Sequence, residues 1–169
     1  MTSLSLQKDI PSENTASLNV ESLIADYYSS TDQNQQANII KILAEMGDEK
    51  ALDLLVDVVG VEVANHCQGN VRRVAARGLE KMVISTENPE KMQRGIDKLS
   101  WALLNVEDWG LRYAAAISLA AIANVKTHSD IKEILNQALN QELDQVVKER
   151  ISMIVNTAYF ISVRYKLKS

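Results

Sequence analysis

Turn-forming residues are scarce in this chain: 169 residues contain 6 glycines and 2 prolines. That scarcity argues against a many-stranded barrel or sandwich, which needs a tight turn every few residues. A single cysteine, Cys67, excludes an intrachain disulfide and a multi-cysteine zinc site, and fits a reducing, cytoplasmic setting. Cationic excess is absent too. Eighteen Lys and Arg face 22 Asp and Glu, a net charge of −4, so no overall field draws the chain to nucleic acid or to an anionic membrane. The N-terminus MTSLSLQKDIPSENTASLN has no basic start followed by an apolar run, so it does not read as a secretory signal. The most apolar stretch, Tyr113 to Val125, is shorter than the roughly 20 residues a bilayer requires, so no membrane insertion is expected.

What remains is an ordinary globular composition, 46% hydrophobic and 24% charged, in a length suited to one domain or one short array. Internal similarity decides between these. VRRVAARGL at 71–79 returns as LRYAAAISL at 111–119 and, more weakly, as VKERISMIV at 147–155, and QQANIIKIL at 35–43 falls in the same register. Leu43, Leu79, Leu119 and Val155 are then equivalent. Within each unit apolar residues recur at helical spacing. Second helices follow after Gly47, after Asn88-Pro89 and after His128, with Gly47 placed as a helix stop, Pro89 as a first-turn residue and Ser129 as an N-cap. Paired helices at a period near 40 residues predict an all-α fold, an α-solenoid of HEAT or armadillo-like hairpins. Residues 1–17 are expected to be a flexible segment and 18–169 a single solenoid domain, opened by a capping helix at 18–28 and closed by a long helix from about Asp144.

Asp32, Asp108 and Asp144 occupy one register as acids before a helix, with Arg112 and Lys148 four residues after the last two, a spacing that suits a capping acid paired with the following turn. The second unit has Gln68 there instead. That exception lies in NHCQGN, residues 65–70, beside the only cysteine. A thiol just before a helix N-terminus and near Arg72 and Arg73 is biased toward thiolate, and His66 titrates near neutrality, so the pair can supply a nucleophile and a proton carrier. Equally, Cys67 can be a small buried residue and His66 a hydrogen-bonded turn residue. Arg73 and Arg77, four apart, share a helix face that can clamp a carboxylate or simply be solvated. Trp101, Trp109 and Tyr113 can line a groove or pack in the core, and His128 reads as a surface turn residue.

The repeats around VRRVAARGL and DWGLRYAAAISLAAIA resemble the HEAT-repeat bilin lyases of cyanobacterial phycobilisomes, which work as E/F-type heterodimers. NHCQGN is similar to the motif of the F subunit of the phycoviolobilin lyase acting on the phycoerythrocyanin alpha subunit. The resemblance implies a lyase-isomerase that attaches phycocyanobilin to a cysteine of that subunit and converts it to phycoviolobilin, together with an E-type partner. It implies phycocyanobilin as substrate rather than a resident cofactor, catalytic roles for His66 and Cys67, and substrate contacts from Asn65, Gln68 and Asn70. The two propionates of a bilin make Arg73 and Arg77 candidate anchors, with Arg72 beside them less neutralised for want of an acid at Gln68. Competing expectations are a non-catalytic HEAT adaptor and a bilin-binding phycobilisome assembly or disassembly factor.

Overall fold

The computed structural model describes residues 19–60, 69–126 and 128–166. The expected flexible segment 1–17, the last three residues and Asn65, His66, Cys67 and Gln68 lie outside the described residues. All regular structure among the described residues is helical: α1 (Val20–Ser29), α2 (Gln33–Met46), α3 (Glu49–Gly60), α4 (Gly69–Ser85), α5 (Pro89–Asn105), α6 (Trp109–Val125), α7 (Ser129–Gln141) and α8 (Gln145–Lys166). None of them is long and apolar enough to cross a membrane.

Helix ends follow from local chemistry. Gly47 is left-handed (φ 67°), where a side chain would be strained, and its N–H reaches Leu43 O to stop α2. Asp32, Asp108 and Asp144 accept backbone N–H groups at the starts of α2, α6 and α8, and Asn88 does so for α5 with Pro89 behind it. The expected cap of α7 shifts by one residue. His128 holds the cap position without a side-chain cap bond, and Ser129 is the first helical residue. His128 is half-buried with Nδ1 lacking a hydrogen-bond partner among the described residues, so it is more enclosed than a surface turn residue.

The helices form two rows. α2, α4, α6 and α8 stack in order, α3, α5 and α7 stack beside them, and α1 closes the first hairpin by packing on α2 and α3. Leu43, Leu79 and Leu119, equivalent by sequence, are all fully buried between the rows, while Val155 in α8 is only partly buried. Each buried leucine contributes about 1.5–3 kcal/mol through removal from water.

A second regularity joins α2, α4 and α6 each to the helix before it. Gln36 Nε2 donates to Tyr27 O and Ser30 O (3.4 and 2.9 Å), Arg72 Nε and Nη2 donate to Val59 O (3.2 and 2.7 Å), and Arg112 Nη1 donates to Val106 O and Glu107 O (3.1 and 2.7 Å). These residues occupy one register of the repeat, and each satisfies carbonyls left open at the end of a preceding helix. Arg72 is therefore buried and tied to backbone.

Candidate functional site

The NHCQGN motif enters the described structure at its last two residues, because α4 begins at Gly69 and takes Asn70 into its first turn. Asn70 is exposed. Gly69 lies against the next unit: a Cβ built on it would stand 3.0 Å from Asp108 Oδ2. One turn further along α4, Arg73 Nη2 donates to both carboxylate oxygens of Asp108 at 3.0 Å, and its guanidinium lies 5.9 Å from the Trp109 ring centroid. Gly110 permits this placement, since a Cβ there would approach Arg73 Nε to 2.4 Å. Burial opposes ionisation of Asp108, but the Leu111 N–H, the Arg73 hydrogen bond and the Arg73 charge outweigh it, and the carboxyl is held below its ordinary range. Asp108 thus caps α6 while bridging back to α4.

The expected partner of Asp108, Arg112, goes elsewhere. Arg112 Nε and Nη2 bind Glu142, 30 residues away in the turn before α8, at 2.8 and 2.9 Å. Both members are largely buried. Burial again works against the Glu142 charge, and the Arg112 hydrogen bonds and nearby backbone N–H groups reverse it, lowering its pKa.

Arg73 and Arg77 do share a face, as the spacing predicts, and the face is a groove of about 330 Å³ crossing α4. Its floor is apolar and small: Ala44 of α2, Val74 and Gly78 of α4, and Ala114 of α6. Its rim carries four cations, Lys41, Arg73, Arg77 and Lys81. Arg77 pairs with Glu80 and Lys81 with Glu45. Glu80 is 13% exposed, and burial, exceeding the opposing effects of Arg77, the Ser118 hydroxyl and Lys81, raises its pKa. The aromatic candidates separate. Trp101 packs against the core on α5 under Lys98, whereas Trp109 is half exposed beside Arg73, and Tyr113 lies beneath Arg150, 5.3 Å from guanidinium to ring centroid.

Sequence reasoning missed Lys41 and the Arg112–Glu142 pair. Lys41 belongs to a different unit, and only the stacking of α2 on α4 sets it beside Arg77. For Arg112 one signal existed: the register shared by Gln36, Arg72 and Arg112 holds a long donor side chain each time.

No protein-family model matches the chain. The bilin biosynthesis protein PecF of Nostoc sp. strain PCC 7120 is 54% identical to it over 140 residues, covering 83% of this chain and 79% of that protein. The chain belongs to the PecF family of bilin biosynthesis proteins. PecF of Mastigocladus laminosus is 52% identical over 136 residues, 80% of this chain but 62% of the relative, so the chain spans less than two thirds of that protein. A phycocyanobilin lyase subunit beta of Nostoc is 28% identical over 69% of this chain and 58% of its own length. In three dimensions the PecF-family chain is similar to the complex of CpcE and CpcF of phycocyanin lyase from Nostoc, with a TM-score of 0.64 and 26% identity over 80% of this chain and 79% of that one. The two-row α-solenoid is thus the architecture of a bilin lyase subunit.

Proposed function

We propose that this chain is the F-type subunit of a heterodimeric bilin lyase-isomerase that attaches phycocyanobilin to a cysteine of the phycoerythrocyanin alpha subunit and converts it to phycoviolobilin. The membership in the PecF family supports the bilin assignment, and the CpcE–CpcF complex among its structural relatives supports an E-type partner. One observation carries the geometry: α4 starts directly after Asn65–Gln68 and presents Arg73 and Arg77 on a groove with an apolar floor and a cationic rim. An open-chain tetrapyrrole with two carboxylates matches such a surface in both polarity and charge.

The chemistry asks for two things. A flexible chromophore must be held in one reactive conformation, a task of proximity and orientation for Asn65, Gln68, Asn70, Arg73 and Arg77. A proton must then be moved. In the proposed sequence the Cys67 thiolate forms a C–S bond to the ring A ethylidene, and His66 shuttles the proton as the methine-bridge double bond moves into the ring. The acceptor cysteine then displaces Cys67, which leaves as thiolate. Each step relocates a proton and an electron pair within thiol and tetrapyrrole, so no oxidant or reductant is consumed.

Reconstitution with an E-type subunit, phycocyanobilin and apo-alpha subunit tests this reading through the product's absorption. Wild type is expected to yield the phycoviolobilin adduct. Cys67→Ser and His66→Ala are expected to keep partner binding and helical circular dichroism, yet to yield at most unisomerised phycocyanobilin adduct. A Cys67→Ser complex releasing phycoviolobilin adduct at the wild-type rate would remove the nucleophile from the mechanism. An adaptor, by contrast, would give no bilin absorbance change on mixing.

A further inference from the structure

Three cations, Arg73, Arg77 and Lys81, stand on successive turns of α4, roughly 6 Å apart along its axis, and Lys41 faces them from α2. In a chain of net charge −4 this is a local reversal of sign. Carboxylates of the protein answer three of the four: Asp108 for Arg73, Glu80 for Arg77 and Glu45 for Lys81. Lys41 is exposed and has no ion-pair partner among the described residues. The groove therefore holds a positive surplus, and the surplus is on the helix opposite α4.

The three pairs are unequal. Asp108 occupies Arg73 with both oxygens, and the Lys81–Glu45 pair is exposed at both ends. Glu80, however, lies beneath Arg77, 13% exposed against 47%, and burial favours its neutral form. A guanidinium has five N–H donors, and one buried carboxylate leaves the outer edge of Arg77 able to take another anion.

We infer that this groove is a dicarboxylate site in which Lys41 and Arg77 each take one propionate of the bilin; the inference rests on the bilin reading above. Ala44, Val74 and Ala114 supply apolar contact for the pyrrole rings along the groove floor. The volume of about 330 Å³ lies at the low end for ligand pockets. The groove thus houses the propionate-bearing middle of the chromophore and leaves the reacting ring outside it. Lys41 is a positioning residue from a unit that carries none of the NHCQGN chemistry.

The test is an absorbance titration of the reconstituted heterodimer with phycocyanobilin and with its dimethyl ester, in which both carboxylates are neutralised. Wild type is expected to bind the diacid about tenfold or more tightly than the ester. Lys41→Gln and Arg77→Gln should each raise the diacid Kd several-fold, the double variant should bring it to the ester's value, and the ester Kd should be constant throughout. Because both side chains are exposed, unchanged circular dichroism is expected to show that the variants fold. Equal wild-type affinity for diacid and ester, or an unchanged diacid Kd in Lys41→Gln, overturns the groove assignment while leaving the bilin reading intact. Wild type that binds neither compound overturns both.

Discussion

Two arginines link consecutive units of the stack, and they do so under different conditions. Arg112 joins α6 to Glu142 with both partners largely enclosed, and directs Nη1 at Val106 O and Glu107 O. Arg73 joins α4 to Asp108 at 41% and 28% exposure, with Nε unbonded among the described residues and Trp109 alongside. The first is a closed joint with four of its five N–H donors engaged. The second is open on the groove side, so it can adjust when a ligand arrives. Arginine–carboxylate pairing is common to both, and solvent access separates a structural tie from one available for binding.

The largest effect is expected from Arg112→Ala, which leaves Glu142 enclosed without its cation and two helix-end carbonyls open. Urea denaturation should show a loss of about 3 kcal/mol at neutral pH. The same variant should alter the acid limb. A carboxyl whose folded pKa is lowered contributes stability above its unfolded value, about 4, and loses it as pH falls through the folded value. Wild-type stability should therefore drop below about pH 4, and the drop should be shallower in Arg112→Ala.

Arg73→Ala comes next, at about 1 kcal/mol or less because the pair is half exposed. Bilin capture should weaken less than in Arg77→Gln, with unchanged product colour, since Asp108 already occupies Arg73 with both oxygens and the propionates go to Lys41 and Arg77. Should Arg73→Ala instead cost as much as Arg112→Ala, the contrast between closed and open joints fails. Gly110→Ala is the mildest of the three. The added Cβ would displace the flexible Arg73 side chain rather than backbone, so the stability loss should stay below about 1 kcal/mol, with bilin capture falling toward that of Arg73→Ala.

The sequence made the hairpins legible because helix periodicity and end signals are local. Gly47, Asn88-Pro89 and the acids Asp32, Asp108 and Asp144 act within a turn of where they stand. Arg72 was harder to read, since its acceptor is a backbone carbonyl 13 residues earlier and a carbonyl leaves no mark in the sequence. Arg112 had a nearer acid at Asp108, and stacking supplied Glu142 instead. Half of the site was visible as Arg73 and Arg77 at helical spacing. Lys41 was not, because facing across two units is a property of the stack.

The bond from Arg72 to Val59 O has a consequence for how such an array diversifies. Val59 and Arg72 stand on either side of residues 61–68 in the sequence, and the bond between them ties the end of α3 directly to the first turn of α4. The register of α4 on its neighbours is thus held by contacts that do not pass through residues 61–68, and substitutions among those eight positions are expected to leave the stack in place.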